Sequence, residues 1–253
     1  MNDMTFAVHM YALREFTRTY EELGLTLRNV KHIGYNAIEA QKIDWVNSAR
    51  FKEMADEIGL RFASVQYDFE QIINNIDGII KDQKILGCRY VSLSSLPMHY
   101  RTNSEGYHAF IKEIEIPVKK IAESNLQFIF HNHKFELEKF GNTTGLDILL
   151  NETNPDYFGF ELDLCWLQAG GASPVNWIRK VKGRMGVVHM KDMGVCSDNQ
   201  IITDIGQGNM DWPEIIRACR ETNVEWYIVE QDMNMKDPFK HFEISYDYLS
   251  NYF

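Results

Sequence analysis

Four short segments of this chain end an apolar run abruptly on ionisable side chains. His131-Asn132-His133 follows QFIF, Glu161-Leu162-Asp163 follows YFGF, His189-Met190-Lys191-Asp192 follows MGVV, and Glu230-Gln231-Asp232 follows YIV. In an extended strand, residues two apart share a face. His131 is therefore paired with His133, Glu161 with Asp163, His189 with Lys191, and Glu230 with Asp232. Two imidazoles and two carboxylates brought to one point suit a divalent first-row ion such as Mn²⁺, Zn²⁺, Co²⁺ or Fe²⁺. One such residue at a strand end is more often a hydrogen-bonded structural group, but four switches in succession favour a metal site. His131 and His133 do not both count as ligands, and one of them faces substrate or supports the other. Glu161 lies one strand step deeper than Asp163, with a structural alternative as the partner of Lys191 or an arginine.

Convergence of this kind needs a scaffold that delivers the segment ends to one face. Thr5–Met10, Ala37–Ala40, Arg61–Tyr67 and Arg89–Leu93 read as strands, as do Gln127–His131, Tyr157–Asp163, Met185–Met190 and Tyr227–Glu230. Several are near-continuous apolar runs, as parallel strands covered by helices should be. Helical patterns between them have recognisable ends. Ser173-Pro174 and Asp211-Trp212-Pro213 combine an N-cap with an early proline, and Gly59 and Gly87 suit C-caps. Pro117 predicts a kink or restart in its helix. Eight strands, each followed by a helix, define an α/β chain folded as a single (β/α)8 TIM barrel, one domain over residues 1–253. A doubly wound open sheet would carry a glycine-rich turn after its first strand, and YALRE after Met10 has no glycine. In a barrel the C-terminal strand ends carry the chemistry, which is where the four segments fall. The long interval before Glu230 leaves room for a loop, Val195–Asn209, over the site.

Composition narrows the partners. The chain has 253 residues and a formal net charge of −10, against a nucleic-acid binder, whose affinity needs clustered cations. Hydrophobic residues at 45% and charged residues at 25% argue for a globular fold over disorder. No run approaches the ~20 apolar residues of a membrane helix, and the start MNDMTFAVHMYALREF lacks the pattern of a signal peptide. Cys88, Cys165, Cys196 and Cys219 show no CxxC or CxxxC pairing, which fits reduced thiols and a cytoplasmic location. The partner expected is a small-molecule sugar, with no nucleic acid and no membrane; homo-oligomerisation is left open.

The combination HNHKFEL, ELDLCWLQAGG, HMKDM, GQGNMDW and VEQD, with VHMYALRE, HIGYNAIEA and EIGLRFASV upstream, resembles the sugar phosphate isomerase/epimerase family with its xylose-isomerase-like barrel. The resemblance runs over nearly the whole chain. It implies one divalent metal ion at the barrel mouth, held by Glu, Asp, His and Glu from successive late strands. Asp163, His189 and Glu230 match three of those positions. His131 stands where many members have Glu, and Trp166 stands where many place His. Family chemistries include isomerisation, epimerisation and dehydration of keto-cyclitols or keto-sugars. A DNA-repair branch shares the barrel, but the acidic balance of this chain speaks against it.

Within that frame the expected function is a divalent-metal-dependent isomerase or epimerase of a small sugar or keto-sugar, with proton transfer through a metal-stabilised enediolate. His131, Asp163, His189 and Glu230 form the expected ligand set. Glu230 is the candidate base, His133 the acid and Lys191 the oxyanion partner. The alternative for Lys191 is a salt bridge to Glu161 or Asp192. Trp166, Glu39, Gln66 and His9 are expected substrate contacts, with Tyr11 a weaker one; flat sugar faces stack on aromatic rings. Gly206-Gln207-Gly208-Asn209 reads as a loop turn ahead of a phosphate cradle, and with no Arg/Lys cluster beside it the sugar is expected to be neutral. Two alternatives remain open at this level: a metal-dependent lyase or dehydratase of a keto-cyclitol or 3-keto-glycoside, and a catalytically silent sugar-binding barrel.

Overall fold

The computed structural model describes residues 5–41, 45–231 and 237–252. Eight parallel strands close a barrel: β1 (Thr5–His9), β2 (Ala37–Gln41), β3 (Arg61–Tyr67), β4 (Tyr90–Leu93), β5 (Gln127–His131), β6 (Phe158–Asp163), β7 (Val187–Met190) and β8 (Trp226–Val229). Each pairs with its neighbours in sequence, and β8 closes on β1 with Phe6 opposite Tyr227. The expected (β/α)8 barrel is present, with strand limits differing from expectation by one or two residues at several ends.

The alternation of side chains divides the barrel interior into two storeys. Ala7, Ala37, Ala63, Tyr90, Ile129, Val187 and Ile228 form an apolar cluster of their own. Two residues further along the same strands stand His9, Glu39, Ser92, His131, His189 and Glu230, all buried. A period of two places them on the same inward face, one step nearer the mouth. The β2–β3 register shifts after Ile38, where Ala63 of β3 is skipped, which sets Ser64 beside Glu39. The larger core lies outside the strands, against the amphipathic faces of the surrounding helices.

Helix ends follow the local signals. Ser173 Oγ accepts from Asn176 N–H at 3.3 Å, and an Asp211 carboxylate oxygen accepts from Glu214 N–H at 3.3 Å. Gly59 and Gly87 close their helices with φ of 79° and 65°. Pro117 does not restart its helix, which runs unbroken over Ser104–Glu123. Burial of Tyr107, Phe110, Ile114, Pro117, Val118 and Ile121 along one face offsets the hydrogen bond that proline cannot make.

The expected loop Val195–Asn209 is instead largely a β-hairpin. Asp192–Cys196 pairs antiparallel with Asn199–Thr203 through the two-residue turn Ser197-Asp198, both at positive φ. Beyond it the chain turns around Asp192. The Asp192 carboxylate accepts from the N–H groups of Met193, Gly206, Gly208 and Met210 and from Trp212 Nε1. Gly206 has φ of 86°, and a Cβ at Gly208 would lie 2.3 Å from an Asp192 oxygen, so both positions require glycine. Among the described residues, no helix is long and apolar enough to cross a membrane.

Candidate metal centre and active site

His131 ends β5, and its Nδ1–H donates to the carbonyl of Ser94 at 3.0 Å. That bond turns Nε2 toward Asp163 Oδ2, 3.7 Å away. Asp163 ends β6 and caps the helix Leu164–Ala169, so its Oδ1 is taken by Trp166 N–H at 2.8 Å. Its own N–H donates to Asn132 Oδ1 at 3.0 Å. Oδ2 is thereby left facing inward. On β7, His189 reaches Glu230 Oε2 with Nδ1 at 2.8 Å and Glu39 Oε2 with Nε2 at 2.6 Å. Glu230 follows β8 directly and stays in the ladder through its N–H to the Met190 carbonyl at 3.1 Å.

One donor atom from each of His131, Asp163, His189 and Glu230 lies within 4.8 Å of all the others. Of the buried donor atoms, His131 Nε2 makes no hydrogen bond, and Asp163 Oδ2 makes none beyond its ion pair with the Lys191 ammonium 3.0 Å away. Buried polar atoms are nearly always hydrogen-bonded, and an imidazole nitrogen and carboxylate oxygens of this kind form an N/O donor set suited to a first-row divalent ion. The residues therefore fit the ion that the sequence implies.

The charges are mutually stabilised. Burial and the neighbouring His189 disfavour charge on His131, but Asp163, Glu230 and Glu161 outweigh them and raise its pKa. Burial likewise opposes charge on His189, and the carboxylates of Glu39, Glu161 and Glu230 raise its pKa well above the usual range. Against the same burial, Lys191 and His189 hold Glu230 well below an ordinary glutamate. Lys191 is 0% exposed and sits 3.0 Å from Asp163 Oδ2 and 3.1 Å from Glu230 Oε2. A buried unpaired ammonium would cost several kcal/mol. Among the described contacts its partners are these two carboxylates; none is to Glu161 or Asp192, the second of which is taken by the glycine turn.

His133 lies just above, half-buried, with its ring 4.9 Å from His131 and stacked on Phe135 at 5.1 Å. Burial, and then the charge of His131, lower its pKa to about 3, so the imidazole is neutral near pH 7. Trp166 is half-buried, with its ring 6.0 Å from His133 and Lys191 Nζ 4.8 Å from its centre. Tyr11 is exposed beside His9 at 6.1 Å.

Glu39, Gln66 and His9, expected to meet substrate, are all buried. Glu39 is 0% exposed and accepts from His189, from Ser64 Oγ and from Gln66 Nε2 at 3.4 Å. His9 is buried between Glu230 Oε1 at 3.2 Å and Glu39 Oε2 at 3.7 Å. Glu161 faces Ser92 Oγ at 2.6 Å, and burial, followed by the Glu39 charge, raises its pKa. It meets neither Lys191 nor an arginine among the described contacts. Asp232 lies outside the described residues. The sequence reading gave no role to Glu136, a fully buried carboxyl that accepts from His133 N–H at 2.8 Å, or to Ser64, Ser92 and Asn132. The two serines were legible as small hydroxyls inside apolar strands; Glu136 had no signal beyond its place in HNHKFEL.

The sequence model of the xylose isomerase-like TIM barrel family matches residues 27–249, and the chain belongs to that family. No curated protein matches the sequence. Among solved structures, it is similar to a sugar phosphate isomerase/epimerase from Parabacteroides distasonis ATCC 8503, with a TM-score of 0.82, 23% identity and 98% of each chain covered. It is also similar to the probable 3-DHS dehydratase AsbF from Bacillus anthracis, with a TM-score of 0.78, 13% identity, and 98% of this chain and 99% of that one covered. The IolI protein, solved with a bound zinc atom, gives a TM-score of 0.71 at 15% identity over 99% of each chain. At these identities the likeness is one of fold.

Proposed function

We propose that this chain is a divalent-metal-dependent isomerase or epimerase acting on a small, unphosphorylated sugar or keto-sugar. The observation that carries the reading is the convergence of His131, Asp163, His189 and Glu230 at the strand ends of a barrel whose family handles sugars. The zinc atom in the IolI structure supports an ion in this fold. When bound, such an ion supplies the positive charge that acidifies a carbon next to a carbonyl.

The residues divide the remaining work. Glu230, charged at neutral pH, accepts the proton from that carbon. A carboxylate held so far below its usual pKa is a weak base, so it depends on the carbon being acidified. Lys191 Nζ, beside Glu230 and Asp163, offers a hydrogen bond to negative charge developing on substrate oxygen. His133, neutral and with Nδ1 unbonded, gives up its single proton only to a strongly basic oxygen or carbon. Trp166 presents a ring face to the sugar. A sugar without phosphate is supported by Asp192, whose carboxylate takes the Gly206 and Gly208 N–H groups that this turn could otherwise offer an anion.

A second reading is elimination from a keto-cyclitol or 3-keto-glycoside. It is favoured by the pairing of a carboxylate with an imidazole, since 1,1-proton-transfer epimerisation prefers two similar carboxylates. Proton NMR in D₂O with candidate keto-sugars separates the two. Solvent deuterium entering substrate and its isomer is the expected result. An enone product, with loss of water or aglycone, would replace the first reading by the second, and no exchange with any candidate beside undiminished binding would leave a silent barrel.

A further inference from the structure

Both imidazoles of the candidate metal centre are held from behind by an oxygen. For His131 the anchor is the Ser94 carbonyl, which leaves Nε2 toward the cluster. For His189 it is Glu39, which faces Nε2 at 2.6 Å while Nδ1 points to Glu230. Glu39 belongs to β2, across the barrel interior from β7, and is itself fixed by Ser64 Oγ and Gln66 Nε2 from β3. It is 0% exposed.

We infer that Glu39 is a positioning residue. By accepting the Nε2–H of His189 it holds the ring with Nδ1 aimed at the ion, and Ser64 and Gln66 hold Glu39 in turn. The inference rests on the metal reading above. A carboxylate behind a metal-bound imidazole fixes ring orientation and raises the donor strength of the other nitrogen. It also accounts for a buried glutamate among apolar strands, since Glu39 has its charge met by His189 and both oxygens hydrogen-bonded. The competing use of the same residues is a second ion held by His9, Glu39 and His189, whose donor atoms also lie within 4.8 Å of one another.

The test is calorimetric titration of the metal-stripped full-length chain with Zn²⁺, for wild type, Glu39→Ala, Glu39→Gln and His189→Ala. It is paired with long-range ¹H–¹⁵N NMR of the His189 ring in the zinc-loaded protein. The expected pattern is one ion per chain, a roughly ten- to hundredfold loss of affinity in Glu39→Ala, and a smaller loss in Glu39→Gln, which keeps a neutral acceptor. The ring spectrum is expected to show metal on Nδ1 and a strongly hydrogen-bonded proton on Nε2 that loses its downfield shift in Glu39→Ala. A fold defect alone would not produce that signature. Glu39→Ala binding as wild type while His189→Ala does not would overturn the role of Glu39 and leave the metal site standing. Wild-type affinity in His189→Ala would remove the metal reading and the inference together. Two ions per chain, one lost with Glu39, would make Glu39 a ligand and overturn its positioning role. Should Glu39→Ala fail to fold, Glu39→Gln decides: weakened binding at unchanged melting supports the inference, and wild-type affinity overturns it.

Discussion

At the scale of single residues, His131, Asp163 and His189 each engage a neighbour with one atom and turn the other toward the cluster. Asp163 caps a helix with Oδ1 and faces the cluster with Oδ2. Asp163→Ala is therefore expected to lose both functions: about 1 kcal/mol of helix stability and at least a roughly tenfold share of metal affinity. Asp163→Asn keeps the cap, so its melting temperature should stay near wild type while its metal affinity falls; thermal melts beside metal titrations separate the two. Protons compete with the ion for His131 and His189, whose pKa values the surrounding carboxylates raise. Metal affinity is expected to weaken as pH falls from 8 toward 6, read as apparent affinity across that range. Glu136 carries the opposite lesson. Burial raises its pKa to about 8, from an unfolded value near 4.5. The folded chain therefore binds the extra proton between those values, and the stability due to Glu136 is present below pH 4.5 and lost as pH rises through 8. Glu136→Gln should flatten the fall in melting temperature between pH 5 and 8; an unchanged slope would show that Glu136 is not protonated there.

At the scale of elements, what could be read from sequence followed periodicity, and what escaped it was contact across the barrel. The abrupt switches at His131, Asp163, His189 and Glu230 were legible because a strand's period of two is local. The partners of Lys191 and the role of Glu39 were not, because β2 and β7 meet through the interior and no local spacing records that approach. The hairpin after Asp192 was read as a loop because its turn, Ser197-Asp198, lacks the glycine that usually marks positive φ at both positions. Pro117 does not interrupt its helix, because one buried helix face outweighs the missing hydrogen bond. Asp192 governs the segment that follows the hairpin. Asp192→Ala would leave five donors without their acceptor, each costing about 1–3 kcal/mol if it stays buried. A fall in melting temperature and faster hydrogen exchange at Gly206, Gly208 and Met210 are expected. Unaltered exchange at those amides would mean the turn holds its shape without the carboxylate.

At the scale of the whole molecule, the barrel gathers charge into one buried storey above an apolar one. His9, Glu39, Glu161, Asp163, Lys191 and Glu230 are all removed from water, and each stands beside an ionisable or hydroxyl-bearing neighbour. Such a storey is costly to build without a use for it, and the divalent ion proposed above, held by His131, Asp163, His189 and Glu230, would give it one. The most direct test is elemental analysis of the purified wild-type chain and of Asp163→Ala, before and after incubation with Mn²⁺, Zn²⁺, Co²⁺ and Fe²⁺. About one tightly held divalent ion per wild-type chain, and far less in Asp163→Ala, is the predicted result. A wild-type chain that takes up none of the four ions, or no more than the variant does, would contradict it.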